Sequence, residues 1–144
     1  ESPYFGTIAK ADICIEVGPQ AHGTLVASLF ETTEKVVLRY LELAEEFNQG
    51  VLQKKPRRSV EIFTQWKDLD YPRDSFGNIS AMIHPDFQAA DFSELKEGDN
   101  IFRTFDGKNI SYRGETVYPL FVNEAAYYEK KIAMSLTKKS LENW

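Results

Sequence analysis

Residues 45–66, "EEFNQGVLQKKPRRSVEIFTQW", contain the point at which the hydrophobic period of this chain changes. Upstream of Gly50, apolar residues recur every three or four positions; downstream of Arg58 they recur every two. A 3.6-residue period puts side chains on one stripe of a helix, and a period of two puts them on one face of a strand. The stretch separates a helical part from a β-rich part, and the expected class is α+β.

Working upstream, Val26, Leu29, Phe30, Val37, Tyr40, Leu41, Ala44 and Phe47 form an apolar stripe, with Glu31, Glu34, Lys35, Glu42, Glu45 and Glu46 around the rest of the turn. One long amphipathic helix is expected from Thr24 to Asn48, with Thr24 as N-cap and Gly50 at the C′ position. Ahead of it, Ala11 to Val17 reads as a short buried strand that Gly18-Pro19 stops. Strand and helix make one segment, residues 1–50, and residues 51–144 make the other.

Downstream, "VLQKKPRR" (51–58) has no periodicity and reads as an exposed connector. Val60, Ile62, Thr64 and Trp66 then alternate with polar neighbours, as do Ile79, Ala81 and Ile83, which predicts half-buried strands. Asp74 to Asn78, Glu97 to Asn100 and Asp106-Gly107 supply turn chemistry. Further short strands are expected at 101–105, 109–112 and 116–122, with a last one between Tyr128 and Thr137. So many strands joined by tight turns predict a small barrel-like domain.

The totals exclude several functions. A net charge of -5 offers no field for nucleic acid or an anionic membrane, so neither partner is expected. The apolar runs fall well short of the roughly 18 residues that suggest a span. The single cysteine, Cys14, has no partner for a disulfide, which suits a reducing, cytoplasmic compartment. The chain opens on Glu1-Ser2-Pro3 without a methionine and reads as a fragment.

His22, His84 and Cys14 are the neutral-nitrogen and thiol ligands available, at spacings that match no zinc motif, so no metal site is expected within this chain. Glu16 stands at the C-terminal end of the expected strand, where α/β layers place their ligand crevices, and is a candidate general base or a cap on the following helix. The second candidate cluster is Asn123, Glu124, Tyr127, Tyr128, Lys130 and Lys131, between two apolar strands; a polar loop with packed tyrosine rings is the plainer account of it.

The strings "IEVGPQ" (15–20), "DYPRD" (70–74), "IHPDFQ" (83–88), "DGK" (106–108) and "TVYPLFVNEAAYYEKK" (116–131) together resemble the C-terminal half of the aspartoacylase and succinylglutamate desuccinylase family, whose members are similar to zinc carboxypeptidases. The resemblance implies an α/β domain that carries zinc and a β-rich domain that covers the substrate channel. Residues 1–50 would then be the last strand and helix of the former. It implies hydrolysis of N-acyl amino acids, with N-acetylaspartate split to acetate and aspartate by base-assisted attack of metal-bound water. The zinc ligands would lie in an N-terminal half outside this chain, and the isolated chain would be inactive.

By the same resemblance Glu16 is the general base, Tyr127 hydrogen-bonds the substrate, Glu124 orients neighbouring groups, and Lys130 and Lys131 attract a dianionic substrate. Two positions depart from the family pattern. Glu1 to Ile15 contains no Arg to grip a substrate carboxylate, and Gln20-Ala21-His22-Gly23 replaces Gln-Pro-Gln-Gly. A lipoyl-like barrel acting as a non-catalytic binding or regulatory module is the alternative. An apolar strand and helix without a covering partner also leave a homo-oligomer open.

Overall fold

Residues 13–18 and 20–143 are described in the computed structural model, and they fall into two units that part between Pro56 and Arg57. The first is dominated by one helix, α1 (Ala27–Asn48). It starts three residues later than Thr24, because the Thr24 hydroxyl donates to Ala21 O at 2.7 Å and closes a separate turn. Val26 takes the N-cap position without a side-chain bond. At the other end Gly50, at φ 70°, donates to Phe47 O, and the Val51 N–H reaches back to Glu46 O, so the last carbonyls are satisfied as a Schellman end requires.

No residue of α1 is buried, and Phe30, Val37, Leu41 and Phe47 of its apolar stripe are exposed. The buried strand expected over residues 11–17 is not formed in its described part: residues 13–18 belong to no strand, and Ile13, Ile15 and Val17 are exposed. A strand is a paired structure, and no described residue of this unit offers a ladder to it. Ala11 and Asp12 lie outside the described residues. Within the expected connector, residues 52–54 form a 3₁₀ turn.

The second unit contains two three-stranded antiparallel sheets. In one, β6 (Met134–Asn143) lies between β1 (Ser59–Leu69) and β5 (Tyr118–Leu120). In the other, β3 (Asn100–Thr104) lies between β2 (Ala81–Ile83) and β4 (Asn109–Ser111). Leu95, Val117, Met134 and Leu136 are fully buried at the centre, with Ile101 and Phe102 of β3 against them. Each such side chain stabilises the fold by about 1.5–3 kcal/mol relative to an exposed one.

Two strand expectations need correction. The last strand runs from Met134 to Asn143, six residues beyond Thr137, because its outer half pairs with β1 from Ser59 onward. The alternation in β1 does not become half burial: only Ile62, Phe63 and Leu69 are partly covered, since residues 59–68 extend past the core layer. Conversely Met134 to Thr137 are all buried, on both faces, where the strand crosses the middle of the unit.

The β3–β4 hairpin shows how charge fixes a turn. Gly107, at φ 89°, donates its N–H to Thr104 O at 2.9 Å. The Lys108 ammonium, followed by the Thr104 hydroxyl, holds the Asp106 carboxyl down from 3.8 to about 2. The folded carboxyl binds its proton less readily than the unfolded one, so its contribution is complete above about pH 3.8 and is lost as the pH falls through about 2. A carboxyl NMR titration should find the Asp106 midpoint near 2, rising towards 3.8 in Lys108→Ala; an unshifted midpoint in the unaltered protein contradicts the hairpin chemistry.

Candidate functional site

Three loops of the second unit are joined by side-chain hydrogen bonds. The first is Asp70-Tyr71-Pro72-Arg73, directly after β1. The Arg73 Nε–H donates to Asp70 Oδ2 at 2.7 Å and Nη2–H to Oδ1 at 3.0 Å, a fork that closes the turn, and Nη1–H donates to Gly77 O at 2.9 Å. Arg73 holds the Asp70 carboxyl below the usual carboxylate range, against desolvation, with help from the Tyr71 N–H and the charge of Lys131.

The Tyr71 hydroxyl donates to Asn123 Oδ1 at 2.6 Å, while its ring packs on Phe102 with centroids 6.1 Å apart. Burial, and then the Asp70 charge, push the phenol up, so it remains a donor at neutral pH. The second loop follows β2 as a 3₁₀ turn over Pro85–Phe87 and ends at Gln88, whose Oε1 accepts from Asn123 Nδ2 at 3.3 Å.

The third loop carries "VNEAAYYEKK" from β5 to β6. Phe121, Asn123 and Lys131 stand at φ 56°, 59° and 60°, a region that Asn tolerates and Phe and Lys seldom adopt. Ala125–Tyr127 is a 3₁₀ turn in which the Tyr127 N–H donates to Glu124 O at 3.0 Å. The Tyr127 ring meets Phe121 at 5.4 Å, and Lys130 Nζ lies 5.4 Å from its centroid, within cation–π range.

Of the residues expected from the sequence, Tyr127 and Lys130 are in contact, Glu124 adjoins them through the backbone, and Lys131 adds its charge to Asp70. Glu16 belongs to the first unit. It is exposed and outside any strand, not at the end of a buried one, and its Oε1 accepts from the Cys14 thiol at 3.7 Å.

Among the described residues no group of three or more His, Cys, Asp and Glu side chains is arranged to hold a metal ion. His22 is exposed. His84 is buried and caps the Pro85–Phe87 turn, its Nδ1 accepting from the Asp86 N–H at 3.3 Å.

Residues 58–139 match the model of the AstE/AspA barrel-sandwich hybrid domain. The chain belongs to the AstE/AspA family. It is 46% identical over 140 residues to a probable aspartoacylase of Trichodesmium erythraeum, covering 96% of this chain and 47% of the relative. It is 40% identical over 134 residues to an N-acyl-aromatic-L-amino acid amidohydrolase (carboxylate-forming) of Mus musculus, covering 92% and 42%.

The crystal structure of murine aminoacylase 3 superposes with a TM-score of 0.86 at 38% identity, over 95% of this chain and 45% of that one. The chain thus spans about half the length of the curated relatives it matches. The likeness to the C-terminal half of the aspartoacylase family, read from the motifs, stands. AstE/AspA relatives with these names are acyl amino acid hydrolases. No helix among the described residues is long and apolar enough to cross a membrane.

The sequence picked out the tyrosine and lysine loop, Asn123 included, but not Asp70, Tyr71, Arg73 and Gln88 as its supports. A signal was present. "DYPRD" and "IHPDFQ" each place polar side chains immediately after an apolar strand. That pattern shows that a strand ends, and only the fold shows that the two ends face the same loop.

Proposed function

We propose that residues 1–144 are the C-terminal portion of a zinc-dependent amidohydrolase that deacylates N-acyl amino acids, with N-acetylaspartate, split to acetate and aspartate, as the leading substrate. The observation that carries the reading is the Val122–Lys131 loop, which holds the Tyr127 ring against the Lys130 ammonium on a domain of the AstE/AspA family. In this proposal the zinc is held by ligands from an N-terminal half outside these residues, and the isolated chain is inactive.

Each residue then has a role that its chemistry allows. Glu16 takes a proton from the attacking water and delivers it to the leaving nitrogen, as the C–O bond forms and the C–N bond breaks. Tyr127 donates a hydrogen bond to the substrate. Lys130 and Lys131 draw in its carboxylates, and Glu124 orients their surroundings. A cytoplasmic setting is part of the same proposal.

The experiment is acetate release by the full-length protein, offered N-acetyl-L-aspartate and N-acetyl-L-phenylalanine in parallel with zinc present. The aspartate substrate is expected to be preferred at least about 10-fold, the scale of one charge-assisted hydrogen bond. Preference for the aromatic substrate overturns the substrate choice and leaves the amidohydrolase class standing. Hydrolysis of neither overturns the whole proposal in favour of a non-catalytic module.

A further inference from the structure

Asn123 sits at the neck of the loop that carries Tyr127. Its N–H donates to Ala133 O at 2.9 Å, and the Ala133 N–H donates to Leu69 O at 2.7 Å, so the two ends of the loop are tied to each other and to the end of β1. Its side chain uses both polar atoms: Oδ1 accepts from the Tyr71 hydroxyl and Nδ2 donates to Gln88 Oε1. Three chain segments far apart in sequence therefore meet on one amide.

Core packing does not account for this arrangement, because Asn123 is exposed. Its backbone is left-handed, as are those of Phe121 before it and Lys131 near the loop's far end. Such conformations persist when the surroundings impose them. The clasp is what the surroundings supply at Asn123, and Tyr127 follows four residues later.

We infer that Asn123 is a positioning residue for Tyr127: by clasping Tyr71 and Gln88 its side chain sets where the loop holds the Tyr127 hydroxyl. The inference rests on the substrate-binding role proposed for Tyr127. Asn123 itself touches neither the substrate nor the scissile bond in this account. It acts on the position of a group that does.

The test is a double-mutant cycle in the full-length protein, read as kcat and KM for N-acetyl-L-aspartate. Asn123→Gly removes the clasp while keeping φ 59° accessible. It is expected to lower kcat/KM about 10- to 100-fold, mainly through KM, as a small misplacement of a substrate contact does. Asn123→Asp should stay within about 3-fold of the unaltered enzyme, because its oxygens accept from Tyr71 and from a turned Gln88 amide. In a Tyr127→Phe background, Asn123→Gly should add no more than about a 2-fold loss, since coupled residues are not additive.

Gln88→Leu removes one arm without altering the left-handed backbone, and should show the same coupling at about 3- to 10-fold. Losses that multiply in full in the Tyr127→Phe background, or Asn123→Gly and Gln88→Leu enzymes that work normally, overturn the inference. Tyr127→Phe without any loss overturns the substrate-binding role of Tyr127 as well. Hydrolysis by the unaltered protein decides the amidohydrolase reading separately.

Discussion

Replacing Glu16 by Gln in the full-length protein is expected to lower kcat for N-acetyl-L-aspartate about 10²- to 10⁴-fold, the contribution of a positioned general base. Gln keeps the shape of the side chain and removes its ability to take a proton. That factor corresponds to about 2.7–5.5 kcal/mol of the activation barrier. Stability should change little, because Gln matches the size and shape of the Glu16 side chain and only its charge is lost. A melting temperature equal to that of the unaltered protein separates lost chemistry from lost fold. Turnover within about 3-fold of normal, in a folded Glu16→Gln enzyme, rules out Glu16 as the base.

The largest effect on stability is expected at Leu136. It is 1% exposed and lies on the central strand β6, opposite Lys67 of β1 and Pro119 of β5. Leu136→Ala removes three carbons from a site with neighbours on both faces, where little can collapse into the space. The loss should be about 2–5 kcal/mol. Leu141 is on the same strand but is 68% exposed, so Leu141→Ala should stay within about 0.5 kcal/mol. Urea unfolding of both variants, followed by aromatic fluorescence, checks the pair. Similar midpoints for the two would mean that the middle of β6 is not the core.

These two predictions mark where the sequence was and was not a sufficient guide. Glu16 was singled out because an acid interrupts Ile15 and Val17 before Gly18, and "IEVGPQ" resembles a family string. Its surroundings were not legible. An apolar run predicts burial, yet Ile13, Ile15 and Val17 are exposed, because a strand exists only with a neighbour that supplies its hydrogen bonds. Leu136 shows the reverse. Met134 to Thr137 mix apolar and polar residues, and all four are buried, because Ser135 and Thr137 find partners in Asp68 Oδ1 and Tyr118 O.

The tyrosine loop divides in the same way. Tyr127, Glu124, Lys130 and Lys131 were named from one contiguous string, since residues carried on a single loop are adjacent in sequence. Tyr71 and Gln88, which hold that loop through Asn123, are 52 and 35 residues away from it.

By itself the sequence determined the α+β class, the change of period near residues 50–58, the helix with its Gly50 end and the likeness to the aspartoacylase family. All of these depend on interactions within about a turn of helix, one strand or one motif. Tertiary structure alone decided the pairing of β1 with β6 and β6 with β5, the burial of Met134 to Thr137, and the convergence of Tyr71, Gln88 and Asn123. The reason is that strand pairing and side-chain clasps join segments through space, and hydrophobic periodicity records which face of an element is apolar but not which other element covers it.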